Sequence, residues 1–506
     1  LSDIQFFREM KLKTTIAINQ DGTMNEHAGF LNGLKVKEAR QKIIEELKNK
    51  KLLVKQSPIM HRTPISERSN AEIEFIEMPE FYLKQLELKK DIEEIAKKIN
   101  FYPPESKKIL DSWINSISID WPISRRRFYA TPIPLWKSRD DKIALPPPGK
   151  YYSPWKESVP AQSEVYKNGK LIGKVKDFPN EFWKGEERVF DTWMDSSISE
   201  LVILKYKENA QFFKKAYPAS LRPQGKEIIR TWLYYTLLRG YLETKKPAFK
   251  DVWINQHIVD EKGRKMSKSI GNIIDPQELL RDYGGEAIRF WASIEGNLAK
   301  QDLKCSKEKI KAELKTLNKL LNVTKFITQF KKPKKKPVLE KIDQLFIDYV
   351  EELTDFTDKS YERYNFYNPA LKLRKFLWDT FASHYLEIVK NRAYNEQNKF
   401  TDRESNSAKY TLYYLLERFV CLSYPIIPQI TSIIAKDLKI SLENFPKSKK
   451  ITSNLLLINK IIEFNSKIWK EKKEKSISLR DQISEIEVPK ELRNFEKDLQ
   501  ACHNLV

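Results

Sequence analysis

The chain has 506 residues, of which 41% are hydrophobic and 12% are aromatic. This length is too great for one hydrophobic core and predicts about three globular domains. No apolar run reaches the roughly 18 residues that a membrane span requires, and the mixed start Leu1–Gln5 is unlike a secretory signal. We therefore expect a cytoplasmic chain with no membrane partner, and the absence of a first methionine predicts that residues precede Leu1.

The charge is strongly basic, with 91 Lys and Arg against 69 Asp and Glu and a formal net charge of +22. Such an excess favours a polyanionic partner, although a lysine-rich proteome would give the same composition. Cys305, Cys421 and Cys502 are too far apart in the sequence to indicate a disulfide framework or a zinc site, which is typical of a reducing compartment.

Residues 1–75 are predicted to be the end of an α/β domain. Thr14–Ile18 has the composition of a strand, and Asp21–Gly22 is a turn signal. Val36–Leu47 carries apolar residues at helical spacing.

Residues 76–304 alternate strand and helix signals. The proline-rich segment Pro146–Gly149 predicts a surface loop within an insertion over about 137–185. Ile228–Leu237 has the apolar spacing of a helix, and Val252–Ile254 that of a short strand. This alternation favours a parallel sheet.

Residues 305–506 are predicted to form a helical bundle. A core-facing helical stripe is indicated by apolar residues spaced by four, four and three positions at Leu377, Phe381, Tyr385 and Ile388. Lys331–Pro337 is predicted to be an exposed linker, either simply solvated or in contact with a polyanion.

The segment Lys265–Ser269 reads KMSKS and has Gly263 and Gly271 on either side. Two lysines three positions apart can place two ammonium groups against the β- and γ-phosphates of ATP, where charge develops as pyrophosphate leaves. The alternative is a solvated basic loop without a ligand.

Three further segments, in this order, resemble signatures of one enzyme family: Ile123–Trp136, Asp191–Ser197 and Arg222–Trp232. With the KMSKS loop they identify the chain as similar to the class I aminoacyl-tRNA synthetases, and within that class to the valine-specific branch of archaeal type. The resemblance implies the C-terminal part of a Rossmann-like parallel sheet over 76–304, followed by an all-α anticodon-binding bundle over 305–506. It also implies that residues 1–75 are the C-terminal part of an α/β editing domain.

The resemblance carries roles over to the amino-acid site. Trp193 and Ile228 are similar to the residues that wall the valine side-chain pocket, and the less favoured alternative for Trp193 is a core tryptophan. Glu227, where the family usually has Asp, would pair with the amino group of valine or with the ribose hydroxyls.

The remaining implied roles concern ATP. Gly225 would let the backbone approach the adenosine, and Glu227 would also belong to this site. Lys265 and Lys268 are the implied catalytic residues, and the implied ATP-binding loop consists of Lys265, Met266, Ser267, Lys268 and Ser269. No protein-bound metal is implied.

The implied reaction has two steps: valine and ATP, entering with Mg²⁺, give valyl-adenylate and pyrophosphate, and the acyl group then passes to tRNA(Val). A pocket for an isopropyl group rejects a hydroxyl-bearing isostere only weakly, which is why the family hydrolyses mischarged threonine in its editing domain.

The chain also departs from the family elsewhere. The His-x-Gly-His signature is absent, Lys226 replaces a usual His, and Lys137–Asp140 stands where Cys-x-x-Cys is common. We therefore expect no structural zinc. The missing first half of the nucleotide fold is expected either upstream in one longer protein, which we favour, or in a separate chain.

Two alternatives remain. The first is a synthetase-derived tRNA-binding protein without aminoacylation activity, which the missing His pair favours and the KMSKS loop disfavours. The second is isoleucine specificity, which the Arg222–Trp232 segment disfavours.

Overall fold

The computed structural model describes residues 6–7, 9–60, 63–66, 69–74, 76, 78–127, 129–268, 270–299, 302–396, 398–484 and 486–505. The chain divides into two compact units, one formed by residues 1–84 and 120–192 and the other by residues 85–119 and 193–506. No helix in the described ranges is long and apolar enough to cross a membrane.

The strands of the described residues are, in chain order, β1 (Tyr82–Leu83), β2 (Asn100–Tyr102), β3 (Trp121–Pro122), β4 (Ser124–Arg125), β5 (Trp136–Ser138), β6 (Ile143–Leu145), β7 (Glu164–Lys167), β8 (Lys170–Lys174), β9 (Trp183–Gly185), β10 (Val189–Phe190), β11 (Ala219–Gly225), β12 (Phe249–Asn255), β13 (Ile258–Val259) and β14 (Leu303–Lys304).

The α-helices are α1 (Val36–Asn49), α2 (Lys89–Ala96), α3 (Lys107–Ser116), α4 (Thr192–Ser196), α5 (Ser199–Ile203), α6 (Ala210–Ala216), α7 (Tyr234–Thr244), α8 (Pro276–Glu295), α9 (Lys307–Thr328), α10 (Lys341–Tyr361), α11 (Tyr367–Lys375), α12 (Leu386–Tyr394), α13 (Asp402–Ser423), α14 (Pro428–Leu438), α15 (Leu456–Glu474) and α16 (Glu496–His503). Two π-helical segments, Ile229–Leu233 and Phe376–Tyr385, precede α7 and α12.

The first unit is built around an antiparallel sheet in the order β8-β7-β6-β5-β9, which contains the predicted insertion. Trp136, Ala144 and Val165 form its small core. The predicted helix near Val36 is confirmed as α1, whereas the predicted strand over Thr14–Ile18 is wrong: only Ile18 forms a bridge, to Met24. The Asp21–Gly22 turn brings that one pair together, and a strand requires pairing along its whole length.

The second unit contains the predicted parallel sheet, in the order β11-β12-β2. Helix α7 connects β11 to β12, because two parallel neighbours require a long crossover. The pairing of β11 with β12 runs from Ala219↔Phe249 to Gly225↔Asn255. The carboxyl ends of these two strands therefore lie side by side, which is where ligands bind in open α/β sheets.

The helices from α8 onward share one large hydrophobic core, so the predicted helical bundle is confirmed. The predicted stripe is buried, with Phe381 and Tyr385 fully enclosed. Helix α13 begins at a capping box in which Thr401 and Glu404 each accept a hydrogen bond from the other's backbone N–H.

Buried charges inside the bundle have partners. The guanidinium of Arg392 donates to Asp343 at 2.7 and 2.8 Å and to Asp498 at 2.7 Å. Burial alone lowers the pKa of Arg392, but the two carboxylates outweigh it and raise that pKa. The buried ammonium of Lys472 donates to three carbonyl oxygens, those of Leu479, Asp481 and His503.

Candidate active site at the ends of two parallel strands

Strand β11 ends at Gly225, and the chain turns at once into a 3₁₀ segment, Lys226–Ile228. The carboxylate of Glu227 folds back over Gly225, so that a Cβ at residue 225 would lie 2.3 Å from both carboxylate oxygens. Glycine therefore leaves room for Glu227 at the end of the strand, and any side chain there would displace its carboxylate.

The neighbouring strand β12 continues into His257, whose Nε2 lies 3.1 Å from Oε2 of Glu227. The two predicted ATP-site residues, Gly225 and Glu227, are thus together, and His257 is a third member of the group. The carboxylate of Asp302 accepts from the ammonium of Lys226 and from the backbone N–H of His257. Burial raises the pKa of Asp302, but these hydrogen bonds outweigh it and leave the pKa below its usual value.

The KMSKS segment forms a hairpin directly after β13, with Lys265 bridged to Val259. Asp260 closes the hairpin, because its carboxylate accepts from the Arg264 backbone N–H at 2.7 Å, from Arg264 Nε at 2.8 Å and from Asn272 Nδ2 at 2.9 Å. Hydrogen bonds from Asn272 and Arg264 lower the pKa of Asp260 to about 2. Asn272 also accepts from the backbone N–H of Ser267 at 3.0 Å.

The hairpin presents its lysines outward. Lys265 and Lys268 are exposed, whereas Met266 and Ser267 are half-buried, and neither ammonium forms an ion pair with a described residue. Ser269 lies outside the described residues. Two unpaired ammonium groups on a hydrogen-bonded hairpin are suited to bind a polyphosphate.

The two candidate wall residues of the valine pocket lie on elements that are hydrogen-bonded to each other. Trp193, half-buried, is on α4, and Ile228, also half-buried, ends the turn after β11. The indole N–H of Trp232 donates to the carbonyl of Ser196 at 3.0 Å, which ties α4 to the helical segment that follows Ile228.

Several buried polar atoms of this region have no hydrogen-bond partner among the described residues, and two side chains have none at either of their two polar atoms. They are the carboxylate of Glu200 on α5 and the amide of Gln224, one residue before the end of β11. Burial raises the pKa of Glu200 to about 7. Buried polar groups are rarely left without partners, so these two side chains could accept or donate further hydrogen bonds.

Sequence reasoning missed His257, Asp260 and Asp302. Asp260 lies five residues before Lys265. Its position close to the KMSKS segment was a local signal from which its role in closing the hairpin could have been predicted. His257 lies 30 positions from Glu227 and Asp302 lies 76 positions from Lys226, and only the pairing of the strands brings these contacts together. Among the described residues no group of three His, Cys, Asp or Glu side chains is arranged to hold a metal ion.

The comparisons with known proteins agree with this architecture. Residues 26–305 match the family model for tRNA synthetases class I (I, L, M and V), and residues 343–488 match that for the anticodon-binding domain of tRNA ligase. The chain is 38% identical to a valine--tRNA ligase of Aeropyrum pernix and 40% identical to one of Nanoarchaeum equitans, over 99% of its own length in both cases. It spans 61% and 64% of the length of those relatives.

Among solved structures, the chain is similar to a methionyl-tRNA synthetase of Mycobacterium tuberculosis in complex with methionyl-adenylate. The TM-score is 0.54 at 15% identity, over 78% of this chain and 71% of that one. At this identity the likeness concerns the fold. Because the class I model covers more than half of the sequence, including both strand ends and the KMSKS hairpin, the chain belongs to the class I tRNA synthetases.

Proposed function

We propose that this chain is part of a valine--tRNA ligase, which activates valine with ATP to valyl-adenylate and transfers the valyl group to tRNA(Val) in the cytoplasm. The observation that carries the proposal is the placement of the Gly225–Glu227 turn and the Lys265–Lys268 hairpin after adjacent parallel strands. The identity to valine--tRNA ligases over nearly the whole chain supports valine as the amino acid.

In the first step the carboxylate of valine attacks the α-phosphate of ATP, and pyrophosphate leaves. ATP enters as its Mg²⁺ complex, so the metal is part of the substrate. Lys265 and Lys268 hold the β- and γ-phosphates and stabilise the negative charge that develops on pyrophosphate. Asp260 and Asn272 fix the hairpin so that the lysines are positioned before ATP binds.

The adenosine of ATP and the valine would lie at the turn after β11. Gly225 lets the backbone approach the adenosine, and the Glu227 carboxylate accepts from the valine ammonium or from the ribose hydroxyls. Trp193 and Ile228 would limit the side-chain pocket to a branched aliphatic group. Such a pocket discriminates threonine from valine by only about 10²-fold, which is why hydrolytic editing would accompany the activity.

We further propose that the site is completed by a segment outside this chain, in the same longer protein or as a separate subunit. The unpartnered Gln224 amide and Glu200 carboxylate support this, as does the sheet order, in which β11 is an edge strand. The greater length of the relatives is consistent with such a segment. The helical bundle would bind the anticodon arm, as the match of residues 343–488 suggests.

The test is valine-dependent ATP–pyrophosphate exchange, measured on this chain alone and on the chain together with the residues encoded upstream, with isoleucine and threonine in parallel. Exchange with valine only after the upstream residues are added is the expected result. A preference for isoleucine would refute the assigned specificity. No exchange in either form would refute the enzyme and leave a tRNA-binding relative.

A further inference from the structure

The hydrogen-bonded ladder between β11 and β12 ends at the pair Gly225↔Asn255. Beyond it the two chain segments follow different courses: one turns into the 3₁₀ segment that carries Glu227, and the other continues through His257 to β13 and the KMSKS hairpin. The groups of the candidate site lie on these two diverging segments. Their spacing therefore depends on contacts other than the ladder.

Asp302 joins the two segments. One of its carboxylate oxygens, Oδ1, accepts from Nζ of Lys226 on the first segment and from the backbone N–H of His257 on the second, at 3.1 Å in the latter case. Both side chains of the ion pair are about one-third exposed or less, at 27% for Lys226 and 33% for Asp302. The contact is thus partly shielded from water, and its charges attract more strongly than those of a fully exposed pair.

The backbone fixes where this carboxylate lies. Immediately after Asp302, β14 runs parallel to β13, with Leu303 N–H donating to the carbonyl of His257 at 2.8 Å and Cys305 N–H donating to that of Val259 at 2.9 Å. Asp302 is therefore carried on a segment that is itself paired with the root of the hairpin. Lys226 is the side chain that reaches to it across the gap.

The contacts of Asp302 affect the position of Glu227 relative to the KMSKS hairpin. Lys226 precedes Glu227, and His257 contacts the Glu227 carboxylate through Nε2. A carboxylate that holds both Lys226 and the backbone of His257 sets the distance between the β11 turn and the strand that leads to Lys265. That distance decides whether one ATP molecule can meet Glu227 at its ribose and the lysines at its phosphates.

We propose that Asp302 is a positioning residue for adenylate formation: it clamps the end of β11 to the end of β12 through Lys226 and the His257 backbone, and so places Glu227 relative to the KMSKS hairpin. This inference rests on the proposed function. Asp302 does not contact a substrate; it acts by positioning Lys226 and the backbone of His257.

The catalytic test uses the protein with its upstream residues and compares Asp302→Asn, Lys226→Met and the double variant. Each single change should lower kcat/KM for ATP in valine-dependent exchange by about tenfold, because each removes a charge-assisted hydrogen bond. The double variant should be no worse than either single variant, since both remove the same contact. Asp111→Asn, which breaks the comparable Lys107–Asp111 pair on α3, should leave kcat/KM unchanged.

A second measurement does not require activity. Hydrogen exchange on the chain alone should show faster exchange of the His257 amide in Asp302→Ala, with the amides of α9 unaffected and the melting temperature kept. Additive losses in the double variant, or an unchanged His257 amide, would overturn the clamp. If the wild-type protein gives no valine-dependent exchange, the proposed function fails, and the exchange of the His257 amide still decides whether the clamp exists.

Discussion

The parallel-sheet region and the helical bundle belong to one compact unit, but the buried polar side chains compared below differ in whether they have hydrogen-bond partners. In the bundle, Arg392 and Lys472 are enclosed and each is surrounded by acceptors. In the sheet region, Glu200 and Gln224 are almost as deeply buried, and their side chains have no hydrogen-bond partner among the described residues, although the charges of Arg239 and Arg222 act on Glu200. These two buried cations of the bundle are thus held by their own acceptors, whereas the carboxylate of Glu200 and the amide of Gln224 are not hydrogen-bonded to described residues.

The difference separates buried ions that are held by partners from polar groups that are not hydrogen-bonded. A paired buried ion loses much of its favourable interaction when one partner is removed, because the other charge remains in a low dielectric. Removing an exposed lysine from a loop changes the stability of the protein little, but a ligand that this lysine binds loses a counter-charge. Substitutions in the two regions should therefore act on different observables.

The largest effect on stability is expected for Arg392→Met. The change leaves Asp343 and Asp498 buried without their cation and should lower the free energy of unfolding of the bundle by about 3–5 kcal/mol. Urea denaturation followed by circular dichroism measures this. The control is Arg403→Met, which breaks an exposed pair with Glu340 and should cost less than about 1 kcal/mol. Equal losses in the two variants would contradict the assignment.

The largest effect on chemistry is expected for Lys268→Ala. Loss of one ammonium from the leaving pyrophosphate should lower kcat for valine-dependent exchange by about 10²–10³-fold. Valine binding should change less than about twofold, and the melting temperature should not change. Lys262→Ala, in the same hairpin and also exposed, is the matched control. A loss no greater than that of the control would remove Lys268 from the site.

His503, which is buried in the bundle, should make the stability of the protein depend on pH, and this effect is smaller than the two above. Burial, with smaller contributions from Lys472 and His384, lowers the pKa of His503 to about 4. Between pH 4 and 6.5 the unfolded chain takes up a proton that the folded chain does not, so stability falls as pH falls through this window.

The expected difference is a loss of about 1–2 kcal/mol between pH 7 and pH 5 that His503→Gln does not show. Urea denaturation at both pH values gives the comparison, and His27→Gln, at an exposed site in the other unit, is the control. If His503→Gln kept the wild-type dependence on pH, another group would be responsible.

In the hairpin, Asp260→Ala should lower kcat by about tenfold, because it removes the acceptor that joins Arg264 to Asn272. Asn272→Ala should have a comparable effect, and the double variant should not be additive. Glu261→Ala, its exposed neighbour, should retain wild-type exchange. Full activity of Asp260→Ala would show that the hairpin does not need to be pre-formed.

The smallest effect is expected at the lysines of the 331–337 segment, where Lys334, Lys335 and Lys336 are exposed. Their replacement by alanine should weaken tRNA binding by a few-fold at moderate salt and make the slope of log K against log salt shallower by roughly 2. The arginine triple variant keeps the charge and should retain wild-type affinity. An unchanged slope in the alanine variant would mean that these lysines are only solvated.

Local signals in the sequence were sufficient for the helix near Val36, for the buried helical stripe from Leu377 to Ile388 and for the strand around Trp253, because each depends on neighbours within a few residues. The hairpin shape of the KMSKS segment was not predicted. The strand expected over Thr14–Ile18 does not form, since its composition could not show that the β-pairing is limited to the bridge between Ile18 and Met24. The contact of Glu227 with His257 could not be predicted either. It depends on the register of β11 against β12, which no single sequence states.

Lys472 has a consequence for how the end of this chain can be altered. Its ammonium is surrounded by a cage of three carbonyl oxygens, as a dehydrated cation would be. Unlike a free cation, it is covalently attached to α15. Since one wall of the cage is the His503 carbonyl, shortening the chain by even four residues removes a ligand and opens the cage to water.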